Sequence, residues 1–161
     1  MGDFKKCAYV NCLELHDSRD IDTQNDEYQV VHTNGKTEFF HKNCYLLKQQ
    51  FLKFNDIWYR LIDKNVDFAR LTIILKRMVF REKRDMQYLI FALRYCIDHQ
   101  YKLNYPGGFK YYIDREEIKT AYAETRAKRV NPEIKMPIIK DDSPKIAPTK
   151  KKNTGFTSIF Q

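Results

Sequence analysis

Four side chains near the start of the chain constrain its folding more than any others. Cys7, Cys12, His41 and Cys44 are spaced C-x4-C, then a gap of 28 residues, then H-x2-C. Three thiols and an imidazole complete the tetrahedral shell of a structural zinc ion, which takes sulfur and nitrogen ligands and leaves no position open. Neither pair closes that shell alone, so a chain that uses all four must bring the two pairs together. The sequence between them suits this task. Tyr28 to Thr33 and Lys36 to Phe40 are rich in β-formers and flank Asn34-Gly35, the dipeptide of a type I′ hairpin turn. The spacing predicts a knuckle, a hairpin, and then a ligand pair at the start of a helix, where residues three apart face one way. Zn2+ is the expected cofactor, with Cys7, Cys12, His41 and Cys44 as its ligands.

Other uses of these residues stand beside that one. Free cysteine is commonly buried as a small apolar side chain, and the four ligands could be ordinary core thiols and a surface histidine. A disulfide framework fits less well, since the chain has only four cysteines and its start, MGDFKKC, lacks the apolar stretch of a secretory leader. Cys96 lies alone in an apolar helical stretch, LIFALRYCI, and reads as core. His16 and His32 are alternative imidazoles, but neither has a cysteine at the H-x2-C spacing.

The segment EFFHKNCY, Glu38 to Tyr45, together with the gap behind it, resembles the zinc finger of the poly(ADP-ribose) polymerase type. That family has an aromatic residue just before H-x2-C and a first ligand pair at a similar distance. The resemblance covers about the first 50 residues. Family ligands carry over to Cys7, Cys12, His41 and Cys44, with one departure: the first pair here is C-x4-C where the family has C-x2-C. Treble-clef-like fingers share the second half of the pattern. The resemblance implies recognition of DNA ends and nicks.

Charge runs against a simple transfer of that function. The net charge of +8 is uneven: residues 1–44 carry −3, residues 45–66 carry +2, residues 67–130 carry +6 and residues 131–161 carry +3. A finger that grips phosphates needs the opposite sign, so the expected job of the module is structural or protein-binding. At 161 residues with 43% hydrophobic content, the chain has room for one ordinary domain, a small module and a tail. No apolar run approaches the roughly 18 residues of a membrane span, and the expected location is the cytoplasm.

The expected fold is mainly α, with a small zinc-bound β-hairpin module, a helical bundle-like core and a disordered tail. Residues 1–50 form the zinc module and residues 51–130 the helical domain. In Tyr45 to Ile62, apolar residues recur at Leu47, Phe51, Phe54, Trp58 and Ile62, the spacing of one helix face. Asp67 caps a second helix ending near Arg84, with Leu71, Ile74, Leu75, Met78 and Val79 on its apolar side. Asp85 caps a third, reaching to about Lys102, with Leu89, Leu93, Cys96 and Ile97 inside. Tyr105-Pro106-Gly107-Gly108 reads as a turn, and Phe109 to Ile113 as a short β-like segment. Asp114 with Glu117 matches a capping box, opening a last helix that runs to about Val130 and stops before Pro132. From Asn131 the chain holds four of its five prolines and many lysines. Residues 131–154 are therefore expected to be a disordered basic linker.

No catalytic pattern stands out. The chain lacks a phosphate-binding G-x-x-x-x-G-K-[ST] loop, a Gly-rich dinucleotide turn, G-x-S-x-G and H-E-x-x-H, and an enzyme is not expected. Basic side chains cluster instead. Lys76, Arg77, Arg81, Lys83 and Arg84 crowd the second helix, and at 100° per residue Arg77, Arg81 and Arg84 share a face. Arg126, Lys128 and Arg129 crowd the end of the last helix. Weak, sequence-independent DNA binding is one use of these clusters; a solvated surface favoured by the helix dipole is another. Tyr101, Tyr105, Tyr111 and Tyr112 could stack on bases or pack in a core.

At the far end, residues 155–161 read as a docking peptide carrying Phe156, Ile159 and Phe160. Ser158-Ile159-Phe160 resembles the S-L-F core of peptides that bind bacterial and phage-type sliding clamps, with Phe156 where those peptides have Gln. The expected partner is a sliding clamp or an RNA polymerase subunit. The composition, rich in Lys, Tyr, Asn and Ile, looks like that of a phage or AT-rich bacterial protein. The leading expectation is a non-enzymatic accessory factor in DNA replication or transcription, recruited through its tail. One alternative is an interaction module that inhibits or redirects a host enzyme without binding DNA. Another is a repair factor that binds DNA ends or nicks.

Overall fold

The computed structural model describes residues 3–130; the linker of residues 131–154 and the docking peptide with Phe156, Ile159 and Phe160 lie outside them. The described chain is mainly helical, with two small antiparallel strand pairs. Strand β1 (Phe4–Lys6) pairs with β2 (Asp20–Asp22). Strand β3 (Tyr28–Thr33) pairs with β4 (Lys36–His41), setting Thr33 opposite Lys36 and Tyr28 opposite His41. Between β3 and β4 the chain reverses at Asn34 (φ 48°) and Gly35 (φ 75°), the two left-handed residues that a type I′ turn requires.

Helix α1 (Lys42–Leu61) follows β4 without a linker. It buries Leu47, Phe51, Phe54, Ile57 and Trp58 on one face, and Cys44 on the same side in its first turn. One helix thus serves two cores. The smaller holds Cys7, Cys12, Ile21, Phe40 and Cys44; the larger holds the helical residues. Helix α2 (Phe68–Lys76) starts at Asp67, whose carboxylate accepts from the Ala69 and Arg70 amides at 2.9 and 3.2 Å. Helix α3 (Met86–Asp98) starts at Asp85, which accepts from the Gln87 amide at 2.9 Å. Each cap satisfies donors that the first helical turn leaves unpaired. Cys96 is fully buried in the larger core.

Four local expectations are corrected. The second helix does not run evenly to Arg84: after Lys76 it widens into a π turn over Arg77–Arg81, in which the Glu82 amide donates to the Arg77 carbonyl. Lys83 then turns left-handed (φ 55°) and the Arg84 amide returns to the Met78 carbonyl at 3.0 Å. The wider turn keeps Met78 and Phe80 buried, with Phe80 stacked on Phe51. The third helix ends at Asp98, four residues early. Gln100 takes φ 56°, the Tyr101 amide closes on the Cys96 carbonyl and the Gln100 amide on that of Ile97. That pair of bonds is a Schellman stop.

Phe109 to Ile113 is not β-like. Pro106–Phe109 forms a 3₁₀ turn that leads into the one-turn helix α4 (Lys110–Ile113). A lone strand here would need a neighbour for its backbone, whereas a helix places Phe109 and Ile113 four apart on one buried face. The Phe109 ring meets Phe54 edge-on at 5.5 Å and Trp58 at 6.2 Å. Burying a ring of this size contributes about 1.5–3 kcal/mol. Finally, α5 (Glu116–Val130) starts where expected but without the capping box. Arg84 takes the Asp114 carboxylate at 2.7 Å, and the Glu117 carboxylate accepts from Tyr101 and Arg115. The Arg115 carbonyl accepts from the Ile118 and Lys119 amides as the helix begins.

The left-handed stop at Gln100 yields a direct test. Its side chain is exposed, and a non-glycine residue in this conformation costs about 1–2 kcal/mol. Glycine removes that cost but loses more entropy on folding. Gln100→Gly is expected to stabilise the protein by about 0.5–1 kcal/mol, raising the thermal midpoint by a few degrees in a melt followed by circular dichroism. An unchanged or lower midpoint contradicts the assignment of this stop.

Candidate metal centre

The ligand atoms of Cys7, Cys12, His41 and Cys44 all lie within 4.8 Å of one another, and all four residues are buried. Cys12 Sγ and His41 Nδ1 are 3.4 Å apart. Around a tetrahedral ion with metal–sulfur bonds of about 2.3 Å, two sulfurs are separated by about 3.8 Å, so these spacings fit one shared ion. The group could hold a metal ion.

Each ligand is placed by backbone bonds. Cys7 follows β1; its amide donates to the Arg19 carbonyl at 2.7 Å, and the next amide, of Ala8, donates to Phe39 at 2.8 Å. Cys7 is thereby fixed to both strand pairs. Tyr9 to Asn11 loop outward, and the Cys12 amide returns to the Tyr9 carbonyl at 3.1 Å to begin a 3₁₀ turn over Cys12–Glu14. The longer C-x4-C spacing is absorbed there, with Val10 pushed into solvent (83% exposed). His41 is the last residue of β4 and the N-cap of α1, and Cys44 sits one turn inside. That helix end carries partial positive charge, which favours thiolate over thiol.

The pocket disfavours free thiolates. Burial raises the Cys44 thiol well above its usual range, and charge on Cys7 and Cys12 adds to the effect. Burial also raises Cys12, reinforced by its hydrogen bond with Cys7; bonding to Cys44 and the charge of Arg19 partly oppose this. Buried thiols this close resist ionising together unless a metal ion neutralises them. The structure also fixes the imidazole. His41 Nε2 lies 3.3 Å from the Asp20 carbonyl. Donating there leaves the Nδ1 lone pair free to face Cys12, the outer-sphere arrangement by which proteins orient a metal-bound histidine.

The alternative imidazoles take other roles. His16 stacks on His41 with ring centres 4.0 Å apart, and its pKa is lowered by burial and then by the nearby His41. His32 is exposed on the hairpin, bonded to Thr37. Reading the sequence alone missed three contributors: the Asp20 carbonyl, the stacked His16, and Arg19, whose guanidinium donates to the Cys7 carbonyl at 2.9 Å. None has a local signature, because each acts through a contact made only after the loop closes.

The expected basic face is rearranged by the π turn. Arg84 lies beyond the left-handed Lys83 and pairs with Asp114, and Arg77 lies 3.6 Å from Glu82, which also receives Lys110 at 2.6 Å. Lys76, Arg81 and Lys83 have no carboxylate within salt-bridge distance among the described residues. Of the tyrosines, Tyr101 and Tyr112 stack on each other beneath Arg115, while Tyr105 and Tyr111 are exposed. Among the described residues no helix is long and apolar enough to cross a membrane. No protein-family model matches the chain, and no curated protein or solved structure is similar to it at a significant level.

The centre predicts opposite pH responses with and without a metal. In the metal-free protein a raised thiol pKa means that the folded state holds its protons more tightly than the unfolded chain. That contribution is complete below the ordinary thiol value of about 9 and is lost as pH rises towards the folded value. In the metal-loaded protein the ligands are deprotonated, so acid releases the ion and stability falls as pH drops. Melts of both forms from acid to alkaline pH, with metal analysis, check the signs. Cys44→Ser should lose the ion, whereas Cys96→Ala should keep it.

Proposed function

We propose that this protein is a non-enzymatic accessory factor of DNA replication or transcription whose N-terminal module is locked by structural zinc. The observation that carries the zinc reading is the convergence of four buried side-chain ligands. A Cys3His set suits Zn2+ and leaves no coordination position for substrate. Structural zinc contributes on the order of 10 kcal/mol to small modules, and here that energy would hold β1, the hairpin and the start of α1 together. The module's own charge of −3 and the recess beside His41, lined by Asp17, Asp20, Asp26 and Glu27, disfavour phosphate contacts there. Residues 67–130, at +6, are better suited to hold DNA, weakly and without sequence preference.

The partner contact falls to residues 155–161, where Ile159 and Phe160 would fill a hydrophobic pocket and Phe156 would sit at its rim. A sliding clamp is the first candidate and an RNA polymerase subunit the second. Tethering raises effective concentration, so each contact can be weak by itself. One observation favours a second reading. Val10 and Leu13, 83% and 63% exposed on the knuckle, give the acidic module an apolar surface for a protein. A module that inhibits or redirects a host enzyme would use such a surface without DNA.

Salt-dependent binding to duplex DNA separates the two. Wild-type protein is expected to bind duplexes of any sequence, and Arg81→Gln with Lys83→Gln should flatten the log–log salt slope by about 2, since each phosphate contact contributes about 0.9. No duplex binding at low salt would transfer the argument to the interaction module, and a marked preference for nicked over intact duplex would favour an end-binding repair role. For the tail, a fluorescent peptide of residues 150–161 should bind the clamp of the source organism or its virus. Replacing Ile159 and Phe160 by Ala should abolish that binding, because few residues carry most of such an interface. Failure to bind at tens of micromolar would remove the clamp.

A further inference from the structure

A second candidate site lies on the helical part, in a cleft whose lining includes none of the basic residues at the end of α2. Helices α1, α3 and α5 leave between them a cleft of about 590 Å3, within the usual range for ligand sites. Its cations come from all three helices: Lys53 from α1, Arg94 from α3, Arg126 and Arg129 from α5. All four are exposed. Among the described residues none of them has a carboxylate within salt-bridge distance, and the cleft lining holds a single carboxylate, Asp98. An excess of three positive charges around one concavity is unfavourable until an anion enters it.

The floor is aromatic. Phe91 and Tyr122 line the cleft, half-buried, with ring centres 5.2 Å apart, and Tyr95 continues the surface at 6.2 Å from Phe91. Tyr122 is held in place by its hydroxyl, which donates to Asp85 at 3.2 Å, and the Arg126 guanidinium lies 6.0 Å over its ring. Among the described side chains of α5 the last fully buried one is Ile118, and Arg126 and Arg129 beyond it are exposed and line the cleft. The α3 residues Phe91 and Tyr95 are half-buried, packed against the helical core while lining the cleft.

We propose that this cleft binds single-stranded nucleic acid, stacking bases on Phe91 and Tyr122 and neutralising phosphates with Lys53, Arg94, Arg126 and Arg129. Stacking platforms combined with a positive groove are the physical basis of sequence-tolerant single-strand binding. A duplex hides its base faces and could use only the cations. An acidic peptide could likewise use the cations but gains little from the rings. The proposal deepens the nucleic-acid reading above, and it assigns the contact to a cleft whose lining includes neither Arg81 nor Lys83.

The test is fluorescence anisotropy of the full chain with a labelled oligo-dT 12-mer, across a salt series. Arg94→Gln with Arg126→Gln and Arg129→Gln should weaken binding and lower the salt slope by about 2, since single-strand contacts contribute about 0.7 each. Phe91→Ala should weaken binding by roughly ten-fold at an unchanged slope, the loss of one stacked base, while Phe91→Tyr should retain wild-type affinity. A thermal melt of each variant separates lost contact from lost fold. Competition by free dTMP as effective as an equal concentration of oligonucleotide nucleotides would assign the cleft to a mononucleotide instead of a strand and overturn the proposal. So would equal binding of polyglutamate that is indifferent to Phe91→Ala. If the cleft variants bind oligo-dT like wild type while Arg81→Gln with Lys83→Gln does not, the cleft assignment fails and the accessory-factor reading stands. If the cleft variants alone lose the single strand while no protein binds duplex, the cleft stands and the duplex-holding face fails.

Discussion

Three cysteines and a histidine brought into one buried pocket set the terms for the N-terminal third of the chain. Burial favours the neutral thiol at Cys12 and Cys44, whereas coordination needs the thiolate. The surroundings reduce that conflict at two points: Cys44 sits in the first turn of α1, where the helix dipole is positive, and Arg19 bonds to the Cys7 carbonyl. The Asp20 carbonyl fixes His41 in the orientation that presents Nδ1. A divalent cation would complete the balance. Without one, the smaller core of Cys7, Cys12, Ile21, Phe40 and Cys44 has little apolar volume with which to hold two short strand pairs.

Helix α1 links this centre to the rest of the described chain. Cys44 and Leu47 are three residues apart on one face, so a member of the Cys/His cluster and the first residue of the helical core share a single rigid element. Order at the centre therefore sets the start of α1, and the start of α1 sets the position of Phe51, Phe54 and Trp58. Phe109 docks on the last two from α4's lead-in turn. The core is aromatic-rich, and such rings have few rotamers once edge-to-face geometry is satisfied. That favours a defined scaffold over a loosely packed one, and a cleft rimmed by long cationic side chains benefits from a rigid floor.

Charge divides the chain into an acidic N-terminal stretch and basic later ones. The acidic side near His41 and the cationic rims of the helical part occupy different stretches of sequence. Within the helical part, ion pairs decide which cations remain available. Arg77 and Arg84 are drawn to Glu82 and Asp114, whereas Arg94, Arg126 and Arg129 are not paired among the described residues. Counting basic residues along the chain could not separate these groups, because their partners come from other elements.

Local chemistry made much of the fold legible in advance. Asn34-Gly35 specifies its turn through two left-handed residues, Asp67 and Asp85 cap helices through bonds to amides two or three residues on, and the spacing from Leu47 to Trp58 marks the inner face of α1. The convergence of Cys7, Cys12, His41 and Cys44 was legible for the same reason: a Cys3His group that could hold a metal ion has a particular composition and spacing. Tertiary contacts decided the rest. Strands β1 and β2 have three residues each, too few for a period to show. Phe109 to Ile113 became helical because its buried neighbours lie on α1 and no strand lies beside it. The π turn at Arg77–Arg81 keeps Met78 and Phe80 inside, and Glu117 left its capping role for Tyr101 and Arg115. A sequence encodes hydrogen bonds and periodicities that close within a few residues. Which distant side chain meets a given carboxylate or ring depends on how the helices pack.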